Sequence, residues 1–114
     1  MKKFIYKICY KKDWIKAKKK GKFNGSKKDK MDGYIHFSNK SQVSSTLNKY
    51  FSSEKEKLIL LKVRTSRLDN LYWEKSRDSL LFPHLYSFLN SQDVVKVFKI
   101  ILKKNGKHKL PSVF

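Results

Sequence analysis

Cysteine, glycine and long apolar runs are scarce in this sequence, and each shortage excludes a class of protein. The single cysteine, Cys9, cannot form an internal disulfide, and no Cys/His cluster has the spacing of a zinc site. We therefore expect a cytoplasmic protein without a metal ion. No run approaches the roughly 18 apolar residues that span a bilayer, so we expect no membrane span. The four glycines are dispersed, which excludes a glycine-rich loop that cradles phosphate.

The chain has only 114 residues, enough for one core and too few for a two-domain enzyme. The apolar share is 39%, and aromatic residues alone make up 14%, so burial of large side chains can offset the entropy lost on folding. We predict one α+β domain over residues 1–102, a basic and flexible tail over residues 103–114, and a monomer.

Acidic residues are also few: 9 against 28 lysines and arginines, which gives a formal net charge of +19. Such a charge attracts nucleic acid and phosphate-bearing ligands, so we expect nonspecific RNA or DNA contacts through the lysine surface. Only three of the basic residues are arginines, although base readout and bidentate phosphate binding favour the guanidinium fork. The alternative is a lysine-biased composition over a solvated surface.

The first third of the chain predicts a strand, a helix and a loop. Phe4–Tyr10 mixes β-branched and aromatic residues at period two, which is typical of a strand. Trp14 and Ala17 lie three residues apart ahead of Gly21, which predicts a short helix that this glycine ends. Residues 22–33 show no apolar period and contain several turn-forming residues, so a polar loop is expected there.

The rest of the chain is richer in strand signals. Tyr34–Phe37 predicts a short strand, followed by a helix that Ser38 or Asn39 caps. Leu58–Arg64 is almost continuously apolar, as in a central strand buried on both faces. Pro83 cannot donate a ladder hydrogen bond, so its strand is expected at an edge or a bend. Further strands are predicted at Leu71–Glu74 and Val94–Leu102.

His36 is the first candidate site residue. It lies near the end of a predicted strand, where a rigid scaffold presents side chains to a pocket. An imidazole there can hydrogen-bond a ligand hydroxyl or transfer a proton near neutral pH. The alternative is a histidine whose hydrogen bond is satisfied by a backbone carbonyl.

The segment Phe82-Pro83-His84-Leu85-Tyr86 is the second candidate. Alternation along a strand places Phe82, His84 and Tyr86 on one side, so that an imidazole lies between two aromatic rings. Such a face can stack a planar heterocycle while the histidine binds a ribose or phosphate oxygen. The alternative is an aromatic core strand with a buried histidine.

Glu74 and Arg77 place a carboxylate and a guanidinium close together in the sequence, just after Trp73. They offer a cation for a phosphate and an anion for a sugar hydroxyl; the alternative is a surface ion pair between them. Nucleophilic catalysis is poorly supported, because Cys9 lies inside a predicted strand and Ser38 suits a helix cap.

Three segments, in this order, resemble domain-of-unknown-function family 952. They are Asp32-Gly33-Tyr34-Ile35-His36-Phe37-Ser38, Trp73-Glu74 and Phe82-Pro83-His84-Leu85-Tyr86, with an early Tyr6-Lys7-Ile8 and Trp14. The family's signature runs Asp-Gly-(Phe/Tyr)-Ile-His-Leu-Ser, and this chain departs from it at Phe37. The resemblance covers Phe4 to Ile100 and leaves the lysine-rich tail outside.

Members of that family resemble ADP-ribosyltransferases, so the resemblance implies an α+β fold of small, curved, split β-sheets with two or three short helices. In that superfamily a histidine on an early strand contacts a ribose of NAD, and an aromatic residue or second histidine on a later strand holds the nicotinamide end. The resemblance gives the first role to His36 and the second to His84 with Tyr86. The expected cofactor-binding set is completed by Ser38, Trp73 and Phe82.

Many of these transferases place an acid late in the chain, and Val94–Val97 supplies none. Relatives such as the tRNA 2'-phosphotransferases use arginine and histidine around a phosphorylated ribose instead, a role that Arg77 matches. The resemblance therefore implies an NAD- or ribose-phosphate-linked transferase with His36, His84, Glu74 and Arg77 as catalytic residues. The alternative is a noncatalytic nucleotide- or RNA-binding module with salt-sensitive affinity.

Overall fold

Short strands and helices make up the computed structural model, which describes residues 2–114. The strands are β1 Phe4–Tyr10, β2 Lys22–Phe23, β3 Ile35–His36, β4 Leu58–Arg64, β5 Leu71–Lys75, β6 Leu81–Leu85, β7 Leu89–Asn90, β8 Val94–Leu102 and β9 His108–Lys109. The helices are α1 Lys11–Lys20, α2 Lys27–Asp32 and α3 Val43–Phe51. The strands form antiparallel sheets in the orders β1-β4-β8-β9, β3-β6-β5 and β2-β7. The protein is thus a small α+β fold with curled antiparallel sheets and few helices, as predicted at this level.

The four-stranded sheet contributes to two hydrophobic cores. β4 lies between β1 and β8, and its residues are buried on both faces, which confirms the prediction of a central strand at Leu58–Arg64. Alternate residues of β1 and β4 enter different cores, because successive side chains point to opposite faces. One core contains Ile5, Cys9, Ile59, Leu61 and Val63, and the other contains Tyr6, Ile8, Leu58 and Leu60.

The three-stranded sheet carries both candidate histidines. β6 lies between β3 and β5, and the β3–β6 register sets His36 directly opposite His84. A bridge fastens the chain after β3 to β1: the Tyr6 and Ser38 amides each donate to the other residue's carbonyl at 2.8 Å. This bridge brings the end of β3 against the main sheet and fixes where His36 lies relative to β1.

The prediction that Pro83 confines its strand to an edge or a bend is wrong, because β6 is the middle strand of its sheet. Pro83 pairs with Trp73 on β5, and its carbonyl accepts a hydrogen bond of 3.0 Å from the Phe37 amide on the β3 side. The nitrogen and carbonyl of one strand residue point to the same side, so the missing N–H faces β3. Pairing with β5 therefore loses no hydrogen-bond donor. On the other side, β3 ends at His36, one residue before a hydrogen bond from the Pro83 nitrogen would be needed.

Residues 22–33 are not the polar loop that the sequence predicts, because they contain β2 and α2. Ser26 begins α2 with a capping box, in which the Asp29 amide donates to Ser26 Oγ and the Asp29 carboxylate accepts from the Ser26 amide. Gly33 ends the helix with a φ of 87° and donates its amide to the Asp29 carbonyl. Capping thus stabilises a helix that has no apolar period.

Both helices predicted from the sequence are confirmed. α1 buries Trp14 and Ala17 and ends at Gly21 in the left-handed conformation. α3 follows a 3-10 turn at Lys40–Gln42, and Asn39 rather than Ser38 caps this turn by accepting from the Gln42 amide. Within residues 2–114, no helix is long and apolar enough to cross a membrane.

Residues 103–114 have defined contacts in the structure, while the flexibility predicted for them stays a prediction. β9 pairs with the end of β8, with Ile101 opposite Lys109 and Leu102 opposite His108. The ring of Phe114 packs edge-on against Tyr6 with 5.4 Å between centroids. The segment therefore extends the main sheet and covers part of its core.

Candidate functional site

A cavity of about 510 Å³ opens between α2, α3 and the strands β1, β3 and β6. Small-molecule sites typically measure roughly 300–1,000 Å³, so the volume suits such a ligand. Among the residues predicted from the sequence, its wall includes His36, Ser38, Arg77, Phe82 and His84. Four residues that the sequence analysis did not assign to the site also line it: Lys7, Asp29, Tyr34 and Thr46.

His36 is held in place by a buried ion pair. Asp29 is 2% exposed, and its Oδ1 accepts hydrogen bonds from His36 Nδ1 at 2.5 Å and from the His36 amide at 3.1 Å. Lys7 Nζ lies 2.8 Å from Oδ2 of the same carboxylate. Asp29 therefore fixes both the ring and the backbone of His36, so the partner is a carboxylate and not the backbone carbonyl of the alternative interpretation.

The surroundings of Asp29 keep it ionised. Burial by itself raises the pKa of Asp29, but the hydrogen bond from His36 and the charge of Lys7 outweigh burial and hold the pKa well below its ordinary value. His36 Nε2 lies 3.0 Å from Oδ2 of Asp32, which also pairs with Lys28 at 3.1 Å.

His84, which is 3% exposed, has a carboxylate partner of its own. Its Nδ1 lies 2.8 Å from Oε1 of Glu74, and the Tyr86 hydroxyl donates to the same oxygen at 2.6 Å. The bond from Tyr86, followed by that from His84, lowers the pKa of Glu74, while Glu74 raises the pKa of Tyr86 to about 12. The ionised Glu74 makes Nδ1 the donor, which leaves Nε2 of a neutral His84 as an acceptor.

Tyr34 packs against both imidazoles. Its ring centroid lies 4.2 Å from that of His84 and 4.7 Å from that of His36, and the two imidazole centroids are 5.5 Å apart. Tyr86 also packs on Tyr34, with 5.1 Å between centroids. The structure thus brings the two distant histidines of the sequence to one wall of one cavity, with an aromatic ring across both.

Arg77 enters the cavity from a 3-10 turn after β5. Its Nη2 donates to Thr46 Oγ1 at 3.0 Å, and its guanidinium carbon lies 4.9 Å from the ring centroid of Phe82 and 5.5 Å from that of Tyr50. Within residues 2–114, Nη1 is buried and has no hydrogen-bond partner. Because a buried guanidinium N–H normally has a partner, Nη1 is an unsatisfied donor on a residue that lines the cavity.

Hydroxyl groups continue the polar wall next to Arg77. Ser38 Oγ lies 3.0 Å from Thr46 Oγ1, which is also the acceptor for Arg77. Phe82 lies under the guanidinium and is itself buried. This end of the cavity therefore offers two hydroxyls and a guanidinium on an apolar base, an arrangement that suits an oxygen-rich anion.

Three predicted residues, Trp73, Glu74 and Tyr86, do not line the cavity. Glu74 bonds His84, and Arg77 bonds Thr46, so the surface ion pair between Glu74 and Arg77 does not describe their contacts. Alternation along β5 places Trp73 on the face opposite Glu74, where it pairs with Pro83. Trp73 is therefore directed away from the histidine wall, whereas Tyr86 adjoins that wall through Glu74.

Two of these additional cavity residues, Lys7 and Asp29, carry signals in the sequence. Lys7 interrupts an otherwise apolar and aromatic strand, and a lysine in such a strand is rarely buried unless paired. Asp29 follows Ser26 by three residues, the spacing of a capping box. Nothing in the sequence indicates that Tyr34 packs across both histidines, because that contact depends on the β3–β6 register.

These groups can bind an oxyanion, hydrogen-bond hydroxyls and exchange protons through two imidazoles. Among the residues that the structure describes, no three His, Cys, Asp or Glu side chains lie close enough together to hold a metal ion. Cys9 is buried next to the cavity, and burial raises the pKa of its thiol to about 12. The fold and site define a small α+β protein whose cavity is built around two carboxylate-held histidines.

The chain belongs to the family described as protein of unknown function (DUF952), whose model matches residues 8–97. The matched segment contains both histidines, their carboxylate partners and Arg77. This finding confirms the family resemblance drawn from the sequence motifs.

Solved structures of protein CC0527 from Caulobacter crescentus resemble this chain throughout. A crystal structure is 38% identical, covers 94% of each chain and has a TM-score of 0.86. A crystal structure of a double mutant of that protein is 37% identical at the same coverage and TM-score. A solution NMR structure is 38% identical, covers 94% of this chain and 92% of that chain, and has a TM-score of 0.81. A comparison with curated proteins found no match.

Proposed function

We propose that this protein is an NAD- or ribose-phosphate-linked transferase with an ADP-ribosyltransferase-like fold. The observation that carries the proposal is the convergence of His36, His84 and Arg77 on one cavity. The arrangement of a small curled β3-β6-β5 sheet beside the β1-β4-β8-β9 sheet supports the fold, because the family resemblance implies a split pair of small sheets.

The cavity residues suit a ribose phosphate. A phosphate oxygen satisfies the unpartnered Nη1 of Arg77, His36 orients a ribose hydroxyl, and the aromatic surface of Tyr34 offers a place for a planar base. When bound, NAD would supply an activated bond between its ribose and nicotinamide. His84, with Tyr86 behind it, would then hold the nicotinamide end.

Arg77, and not Glu74, is the residue that we assign to charge developing on the ligand. The Glu74 oxygen Oε1 already accepts hydrogen bonds from His84 and Tyr86. Arg77 has an unpartnered donor, lines the cavity and is held over an aromatic ring. Glu74 therefore serves as a positioning residue for His84, and the chemistry depends on histidine and arginine rather than on a late acid.

A titration followed by NMR tests binding at this site. With NAD or ADP-ribose, we expect the imidazole signals of His36 and His84 to shift, while the signal of His108, on β9, serves as an internal control. Unchanged His36 and His84 signals at millimolar ligand contradict the proposal.

A turnover assay tests the transferase part. We expect slow release of nicotinamide from NAD, lost on Arg77→Gln and retained on Arg67→Gln. Arg67 is a matched control because its charge lies near Asp93, with Nε 3.7 Å from Oδ1, and not at the cavity. Equal loss in both variants, or release that neither substitution affects, contradicts the role of Arg77.

A noncatalytic RNA-binding module is the second candidate, and a lysine-lined groove favours it. This groove measures about 390 Å³, lies between α1 and α2, and is lined by Lys16, Lys20, Lys22, Lys27 and Lys30. Binding of single-stranded RNA there should weaken steeply with salt, because counterions are released. If the protein is an RNA-binding module, binding survives His36→Ala and there is no turnover. A transferase instead loses turnover with that substitution and retains the salt-dependent binding.

A further inference from the structure

The two histidines have different hydrogen-bond surroundings although they lie side by side. Both ring nitrogens of His36 lie close to carboxylates, Nδ1 at 2.5 Å from Asp29 and Nε2 at 3.0 Å from Asp32, so an acceptor is within reach of an N–H on either nitrogen. His84 has one carboxylate partner, Glu74 at Nδ1, so its Nε2 offers a lone pair. One imidazole is arranged to give a proton and its neighbour to accept one.

We propose that this site cleaves single-stranded RNA by intramolecular phosphoryl transfer, with His84 as the proton acceptor and His36 as the proton donor. The inference rests on the proposed function in one respect, namely that the cavity binds a ribose phosphate. It goes further because it names RNA as the substrate class, assigns the proton transfers and requires no NAD.

In the reaction, the 2'-oxygen of one ribose attacks the phosphorus on the adjacent 3'-oxygen. His84 Nε2 takes the 2'-hydroxyl proton as the new O–P bond forms. The bond from phosphorus to the 5'-oxygen of the next nucleotide breaks, and that oxygen leaves with the electron pair and takes a proton from His36 Nε2. The products are a 2',3'-cyclic phosphate and a 5'-hydroxyl, and exchange with water restores both imidazoles, so no co-reactant is needed.

Both imidazoles line one cavity, and their centroids lie 5.5 Å apart. A phosphate held in that cavity beside the two rings is therefore close enough for hydrogen bonds of about 3 Å to both. Arg77, whose Nη1 is buried without a partner, lines the same cavity, and its guanidinium suits a nonbridging oxygen. The Asp32 side chain is 36% exposed, against 2% for Asp29. Asp32 can therefore move aside for the leaving oxygen while Asp29 keeps the ring in place.

The surface charge favours a polyanion over a free nucleotide. The formal net charge is +19, and the lysine-lined groove between α1 and α2 shares Lys27 with the histidine cavity. A strand whose phosphates lie along that groove therefore continues towards His36 and His84. Such phosphate contacts position a chain without reading its sequence.

Cleavage of a short fluorescent RNA in chelator-containing buffer tests the inference. We expect fragments that end in a 2',3'-cyclic phosphate, identified by mass spectrometry. His36→Asn and His84→Asn should each lower the rate about 100-fold or more, whereas His108→Asn, a histidine outside the cavity, should retain it. The all-deoxy strand should bind, measured by fluorescence anisotropy, and remain intact because it lacks the attacking hydroxyl.

A substrate with sulphur in place of the bridging 5'-oxygen separates the two roles, even if a histidine variant is less stable. A thiolate leaves without being protonated, so this substrate should restore cleavage by His36→Asn and not by His84→Asn. A purely structural role for His36 predicts no such rescue. Failure of the rescue in a folded His36→Asn protein overturns the assignment of His36 as the donor.

The pH dependence of the wild-type rate provides a second readout. A proton donor and a proton acceptor together give a bell-shaped profile; the thio substrate should remove the high-pH limb, on which the donor has lost its proton. The groups that face the two imidazoles and shape both limbs are Asp29, Asp32, Tyr34 and Glu74, with Lys7 and Lys28 behind the two aspartates. A profile without a bell, or one that the thio substrate leaves unchanged, contradicts the inference.

The outcomes distinguish this inference from the proposed function. If the deoxy strand binds and the RNA is not cleaved, the inference is overturned while the cavity remains a candidate ribose-phosphate site. Cleavage that is equal in wild type, His36→Asn and His84→Asn identifies a contaminating nuclease and also overturns it. The absence of any imidazole shift with ribose phosphates overturns both.

Discussion

Lys7 Nζ lies 2.8 Å from Oδ2 of Asp29, and the two side chains are 8% and 2% exposed. The pair joins β1 to α2 directly behind His36, whose ring and amide both bond the same carboxylate. A buried ion pair contributes little net stability, but removing one partner leaves the other charge buried and uncompensated. The pair is therefore the structural support on which the orientation of His36 depends.

Asp29→Asn should lower the free energy of unfolding by about 3–5 kcal/mol, because Lys7 then stays buried without a countercharge. Urea denaturation followed by circular dichroism measures the loss. Asp32→Asn is the matched control in the same helix, and we expect little change there because the Asp32 side chain, which contacts Lys28 and His36, is partly exposed to solvent. Similar losses in the two variants would show that the buried pair is not a structural support.

The pKa of Asp29 also predicts how stability changes with pH. This pKa is lower in the folded protein than in the unfolded chain, so the stability it contributes is present above the unfolded value of about 4. That stability is lost as the pH falls from there towards the folded pKa. We expect the free energy of unfolding to fall more steeply below pH of about 4 in wild type than in Asp29→Asn. Parallel curves would contradict this assignment.

Gly25 allows Asp29 to reach its position. The φ angle of Gly25 is 102°, and a Cβ there would lie 2.7 Å from the Asp29 Cβ. Gly25→Ala should cost about 1–2 kcal/mol through the backbone and a further 1–3 kcal/mol or so through the clash. Gly106→Ala isolates the backbone part, because Gly106 has a φ of 83° and open space around it. Thermal unfolding of both variants compares them, and equal losses would exclude the clash with Asp29.

The parts of the fold that the sequence predicted are those with strong periodicity. Phe4–Tyr10 and Leu58–Arg64 are strands because their apolar residues face two cores at once. α2 was missed because capping, and not an apolar face, holds its six residues. The prediction for Pro83 was wrong because a proline is excluded from a middle strand only where the neighbouring strand needs its N–H. Here β3 ends at His36, before it would need a hydrogen bond from Pro83.

Alternation could place Phe82, His84 and Tyr86 on one face of a strand, but it could not place His36 beside them. That convergence depends on the pairing of β3 with β6, a long-range contact that local patterns do not specify. The support of His36 by Asp29 and Lys7 likewise joins residues 22 positions apart in the chain. The candidate histidines were thus found from the sequence, whereas their different carboxylate partners are visible only in the structure.

Glu74→Gln should lower the pKa of Tyr86, because both Tyr86 and His84 bond the Glu74 carboxylate. Glu74 raises the pKa of Tyr86 to about 12 by accepting its hydrogen bond, so the neutral amide should let this pKa fall towards about 10, the ordinary value. The tyrosine ¹³Cζ resonance, followed from pH 8 to about 13, reports the change. Glu56→Gln is the control, because Glu56 pairs with Lys12 and not with Tyr86. An unchanged Tyr86 pKa would show that the Glu74 contact does not form in solution.

A crystal structure with ADP-ribose bound shows whether the histidine cavity is the ligand site. We expect a phosphate oxygen within hydrogen-bond distance of Arg77 Nη1 and ribose oxygens in contact with His36 and His84. The opposite result is a ligand confined to the lysine-lined groove, with both histidines still bonded only to their carboxylates and the Arg77 donor still without a partner.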